Sequence, residues 1–169
     1  MQVTNSTYNL GIATWEIGEL ERARRAFDET FERADAMGDV IHRTAANFML
    51  AELDLVSGDL DEAERRLRAC LPVYAELGSE RSRAECFVVL GGIRAAAGDA
   101  EEAARLFGAA AVLRRGSPVN RFEAPVLDRY LPEMEAQLGT DRIASLFAEA
   151  AQLAPEAAIA LVVPRGSGH

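Results

Sequence analysis

GELERA at residues 18–23 returns as GDLDEA at 58–63 and as GDAEEA at 98–103, one phrase at a constant spacing of forty residues. The register extends well beyond six positions. Leu10-Gly11, Leu50-Ala51 and Leu90-Gly91 stand eight and seven residues before the glycine, Ala23, Ala63 and Ala103 stand five after it, and Phe27, Leu67 and Phe107 follow one turn later. Self-similarity at a fixed period of this size is the signature of stacked supersecondary units. Gly38 and Gly78 close the first two units and the RRGSP of 114–118 closes the third. Each unit therefore holds two segments of some 15 to 18 residues, too long for strands and carrying apolar residues at helical spacing.

The phrase reads as punctuation between two helices. Its glycine suits the left-handed conformation that ends a helix, and Asp59 or Asp99 just after it suits the N-cap of the next. Glu62 and Glu102, three residues on, would complete a capping box, and Glu19 is a weaker cap in the first unit. The alanine at the sixth position, and the Leu-Gly or Leu-Ala pair of the first helix, mark places where two helices approach closely. The spacing predicts helices over 3–17, 20–36, 40–57, 60–77, 80–97 and 100–114, with Pro72 bending the fourth. After residue 118 the period is lost, and the chain reads as one long helix (121–139) and two short ones (141–153 and 155–163), with Gly139 and Pro155 as punctuation.

Composition narrows the function. The 169 residues are 49% hydrophobic and 27% charged, as in a globular domain. All 18 basic residues are arginine, so no Schiff base and no phosphate-loop lysine is available within the chain. GGIRAAAG (91–98) lacks that lysine and falls in a helix-turn pattern. A net charge of −9, with arginines dispersed among carboxylates, opposes nucleic-acid binding. No apolar run approaches the ~20 residues that span a bilayer, and no leader is recognisable, so a soluble cytoplasmic protein with reduced thiols at Cys70 and Cys86 is expected, not associated with membrane. Residues 164–169 read as a tag remnant or linker.

Candidate chemistry is sparse. His42 is the only internal histidine and has no nucleophile or ligand set beside it in the sequence. Cys70 falls where the first unit has Thr30 and the third Ala110, a small core position, with Cys86 expected nearby. The acidic clusters DLDEAE and DAEEA are accounted for by helix capping and the macrodipole. No cofactor, metal or catalytic residue is expected.

The segments NLGIATWEIGELERARRAF (9–27), MLAELDLVSGDLDEAERRL (49–67) and VLGGIRAAAGDAEEAARLF (89–107) resemble the tetratricopeptide repeat. Its pattern places Leu-Gly or Leu-Ala midway along helix A, glycine at the turn, alanine early in helix B and an aromatic or leucine a turn later. The common period is 34, so forty implies longer helices, as in a regulatory subgroup. The resemblance implies an all-α right-handed solenoid of three hairpins (1–116) with a helical cap (117–163), since a solenoid needs an atypical end unit. LGGIRAAAGDAEEAARLFGAAAVLR (90–114) and the segments after 118 are similar to the C-terminal end of the helical region in large bacterial ATP-binding regulators of the LuxR type, in which such repeats follow an NTPase module and a DNA-binding helix-turn-helix often comes next. By register, the inner face of helix A would line a concave groove with Asn5, Tyr8, Ile12, Trp15 and Glu16, then Ala45, Phe48, Glu52, Leu55 and Val56, then Glu85, Val88, Gly92 and Ala95. Tyr8 and Ile12 stand where some family members carry the Lys and Asn that hold a carboxylate terminus, which disfavours such a partner. The aromatic members serve equally well as core between helices. The reading is a non-enzymatic module that binds a protein or peptide segment, with a small-molecule sensor as the alternative. The first helix also carries Val3, Leu10 and Ile17 beyond what one hairpin covers, which predicts a homodimer through the first repeat, unless C-terminal helices fold back and bury Trp15.

Overall fold

A computed structural model describes residues 2–152, with side chains from residue 4. It is all-helical, with no strand among the described residues. The elements are α1 (Gln2–Glu16), α2 (Leu20–Met37), α3 (Val40–Ser57), α4 (Leu60–Glu76), α5 (Glu80–Ala96), α6 (Ala100–Arg114), α7 (Ala124–Leu138) and α8 (Thr140–Ala151). The first six fall within one residue of the predicted bounds at each end. The long helix expected over 121–139 starts three residues later, and the helix expected over 155–163 and the tail 164–169 lie outside the described residues.

The boundaries are accurate because local chemistry sets them. Gly18, Gly38, Gly58, Gly78 and Gly98 all take φ between 64° and 87°, open to glycine at little cost. At each turn the residue after the glycine donates its N–H five residues back: Glu19 to Thr14, Asp39 to Ala34, Asp59 to Asp54, Ser79 to Tyr74 and Asp99 to Arg94, all at 2.8–2.9 Å. This repeated Schellman closure satisfies carbonyls the helix end would otherwise orphan. Asp59 and Asp99 cap as expected, accepting from Glu62 N (3.3 Å) and Glu102 N (3.0 Å). The carboxylates of Glu62 and Glu102 pair instead with Arg65 and Arg66, and with Arg94. Glu19 makes no side-chain cap at all, because its carboxylate pairs with Arg22. Asp39 and Ser79 add caps at α3 and α5 that the repeated phrase does not announce. Helix α4 continues through Pro72, whose missing N–H leaves the Arg68 carbonyl without its usual donor.

The chain divides into two units, Met1–Val73 and Tyr74–His169, a boundary inside the block 1–116 that the repeat pattern marks out. In unit 1, α1 packs on α2 and both pack on α3. Ala23, Ala26, Phe27, Thr30 and Ala34 form the buried stripe of α2, at the three- and four-residue steps of an amphipathic helix. A Cβ on Gly11 would stand 2.6 Å from the Phe27 ring, so α1 passes directly over that ring. In unit 2, α5 is buried continuously from Cys86 to Ile93, which makes it the central helix. It packs on α6 and α7, and α8 packs on α6. The α5–α6 contact repeats the first hairpin, with Gly91 against Phe107. At Gly108 a Cβ would meet Phe147 Cα and Ala150 Cβ, each at 2.9 Å, so α8 lies backbone-close on α6.

Candidate functional site

Among the described residues, two clefts and one apolar corner offer surfaces for binding, and each is built within a single unit. The cleft of unit 1, about 500 Å³, lies over α3 between α2 and α4, with Phe31, Leu50, Ala69 and Val73 as its apolar lining and Asp28, Asn47 and Arg66 as its polar one. Its polar side is organised by Asp54. This α3 carboxylate is 3% exposed; it accepts from Arg24 of α2 (2.7 Å) and from Arg66 Nε of α4 (2.8 Å). Arg66 donates further to Asn47 Oδ1 (2.9 Å) and pairs with Glu62 (3.0 Å), while Asn47 returns a bond to the Arg66 carbonyl (3.2 Å). One buried acid therefore ties three helices, each of its oxygens charge-paired, which is the condition for burying a carboxylate at all. Burial pushes the Asp28 carboxyl at the cleft rim upward, against the pull of Arg24 and Arg66.

Cys70 lines the same cleft but is sealed. Its thiol donates to the Thr44 carbonyl (3.5 Å), accepts from Asn47 (3.6 Å), and is pushed up to about 12 by burial. The thiolate is the nucleophile, so a thiol held in that range is inert near neutral pH. Cys86 is also buried and takes part in no disulfide. His42 sits in the first turn of α3, where its Nδ1 lies 2.8 Å from Asp39 Oδ2 and its ring stands edge-on to Tyr8. Asp39 is held below the usual carboxylate range, chiefly by the His42 backbone N–H. This is a helix-capping arrangement rather than a base beside a nucleophile. Among the described residues no group of three or more His, Cys, Asp or Glu is arranged to hold a metal, and no helix is long and apolar enough to cross a membrane.

The cleft of unit 2, about 490 Å³, lies where α5 begins and α6 ends, against the loop 115–120. Asn120 and Glu123 form a reciprocal capping box. Asn120 Oδ1 accepts from Phe122 N and Glu123 N (2.8 and 3.3 Å), and Glu123 Oε2 accepts from Asn120 N (3.1 Å). Glu123, 1% exposed, is neutralised by Arg114 at 2.8 Å. The Asn120 amide also donates to Glu85 (2.9 Å), fastening the loop to α5. Burial raises the Glu85 carboxyl above its usual range, with Arg81 and the Asn120 bond opposing. Arg115 holds φ 50°, unusual for a residue with a Cβ, and its guanidinium reaches Glu80 at 2.7 Å. The signal for this site was legible: N-R-F-E before APVL fits a capping box. Nothing in the sequence marks Asp54, because its partners are 30 and 12 residues away.

The register-derived groove residues divide by burial. Ile12, Phe48, Glu52, Leu55, Val88 and Gly92 are buried, so they meet a partner only if helices part. Tyr8 is half-buried against Phe27, with ring centroids 5.7 Å apart. Trp15, Ala45, Glu85 and Ala95 are half-buried, and Asn5, Glu16 and Val56 are exposed. Further uncovered apolar surface of unit 1 lies at the α2–α3 corner, where Met37, Val40 and Ile41 are 54%, 43% and 63% exposed around a shallow depression. No protein-family model, curated protein or solved structure matches this chain.

Proposed function

We propose that the chain is a non-enzymatic protein-interaction module, a right-handed solenoid of three tetratricopeptide-like hairpins with a helical cap, working within a larger cytoplasmic signalling or transcriptional regulator. The repeat reading is supported by the five alike Schellman turns and by the Gly11–Phe27 and Gly91–Phe107 contacts standing eighty residues apart. The observation that carries the function is the location of apolar surface. Met37, Val40 and Ile41 gather large exposed side chains in five residues, while the buried acids Asp54 and Glu123 engage Arg24, Arg66 and Arg114 in internal pairs. A contiguous apolar patch on a folded surface marks a contact with another macromolecule. The internally paired arginines and the inert Cys70 thiol leave these clefts with structural rather than catalytic chemistry.

A small-molecule sensor is the second reading, favoured by the unit 1 cleft, whose ~500 Å³ and mixed lining suit a metabolite-sized ligand. Thermal-shift measurements on the full chain, against arrayed amphipathic peptides and a metabolite panel, separate the two. A ligand at 100 times its dissociation constant adds ~2.7 kcal/mol. Stabilisation by a peptide that is lost in Ile41→Glu supports the interaction module. Stabilisation by a metabolite that is lost in Ala69→Phe, which fills the cleft, supports the sensor. Neither effect in either panel refutes the assignment of these surfaces.

A further inference from the structure

Helix α1 carries a second organised surface, separate from the α2–α3 corner. Ser6, Leu10, Ala13 and Ile17 recur at steps of four, three and four, the a/d spacing of a coiled-coil seam, and Ile17 extends the helix through its N–H to the Ala13 carbonyl. All four are exposed, Leu10 at 51% and Ile17 at 69%. They are not part of the core face, which is Thr4, Thr7, Gly11, Ile12 and Thr14, with Gly11 on Phe27 and the Thr14 hydroxyl donating to the Leu10 carbonyl. The exposed seam sets two large apolar side chains, Leu10 and Ile17, in alternation with the small Ser6 and Ala13 on the face of α1 that its own core does not use.

Two features select the occupant. Residues 2–15 contain no charged side chain, although 27% of the chain is charged and its net charge is −9. Two copies of so acidic a molecule repel, and an uncharged face is where that repulsion is locally smallest. The seam also alternates small and large: serine, leucine, alanine, isoleucine. Laid antiparallel on itself about a two-fold axis between residues 11 and 12, it sets Leu10 over Ala13 of the second copy and Ile17 over Ser6, with the reciprocal pairs generated by symmetry. Every layer then combines one large and one small side chain, the interdigitation that close helix packing requires. An isologous contact needs this self-complementarity.

We infer that α1 is a homodimerisation surface, joining two copies of the chain through an antiparallel α1–α1 pair. A single short seam buries less than the ~800 Å² per partner of a standard interface, so the dimer is weak, with a dissociation constant on the order of 100 µM.

Sedimentation equilibrium of the full chain from about 10 µM to 1 mM tests it. The expected result is a monomer–dimer equilibrium that tightens with added salt, as repulsion between the acidic copies is screened. Leu10→Glu alone and Ala13→Arg alone each weaken association at least tenfold, with unchanged circular dichroism since both sites are exposed. An equimolar mixture of the two variants regains association, because the carboxylate introduced on one copy then faces the guanidinium introduced on the other while the second layer stays native. A wild-type chain monomeric at 1 mM overturns the inference and leaves the seam to a different partner. A dimer insensitive to both substitutions, or a mixture that stays monomeric, overturns the geometry.

Discussion

Replacing Gly91 with alanine puts two opposing effects on one residue. The new Cβ would lie 2.4 Å from Phe107 Cε1 and 2.6 Å from Cδ1, about 1 Å inside ordinary contact. Phe107 is 1% exposed, so its ring can give way only by displacing the core around it. Overpacking of this kind costs ~1–3 kcal/mol, while glycine to alanine inside a helix gains ~1 kcal/mol from propensity alone. The difference is a net loss of about 1 kcal/mol, or ~2–4 °C in Tm for a chain of this length. The internal repeat supplies the remedy, because its second unit carries Ala51 and Leu67 where the first and third carry glycine and phenylalanine. Phe107→Leu alone leaves a void and destabilises, but combined with Gly91→Ala it reproduces the second unit's pair. Thermal unfolding followed by circular dichroism should show the double variant more stable than the two single losses predict, by about 1–2 kcal/mol. Strict additivity, or a Gly91→Ala variant that gains the full helix-propensity increment, refutes the claim that glycine is there to admit the ring.

Asp54→Ala leaves Arg24 and Arg66 facing each other without their shared acid, and both guanidinium groups are partly hydrated. The cost should be about 2 kcal/mol, below the range for a fully buried pair, and visible as a lower urea midpoint; an unchanged midpoint removes Asp54 as the tie between α2, α3 and α4. Glu85 gives a pH dependence of defined sign. Its folded pKa is raised by burial, so the charged form is penalised at neutral pH and the penalty is lost as pH falls through that raised value. Glu85→Gln keeps the acceptor for Asn120 and should raise Tm at neutral pH, with the gain vanishing at about pH 4, where an ordinary glutamate also protonates; a gain independent of pH contradicts the burial argument.

Helix positions and turn chemistry were legible in the sequence because they are settled within six residues. A glycine that takes positive φ, an N–H returned to the carbonyl five positions earlier and an aspartate accepting from the third N–H of the next helix need no distant partner. The close approaches at Gly11 and Gly91 were legible too, since the forty-residue register aligns each with a large side chain sixteen residues on. The same register could not say which face of helix A meets solvent. A 3.6-residue period fixes the angles between side chains on one helix but not the direction in which the whole wheel is turned, and that is decided by what packs around it. So Ile12, Phe48, Leu55, Val88 and Gly92, placed along a groove by register, are buried, while Leu10 and Ile17 stand in solvent. Asp54 and Glu85 show the other limit. Each is one carboxylate among 27 acidic residues until the fold brings Arg24 from 30 residues away and Asn120 from 35, because the energy of a charge depends on its neighbours in space.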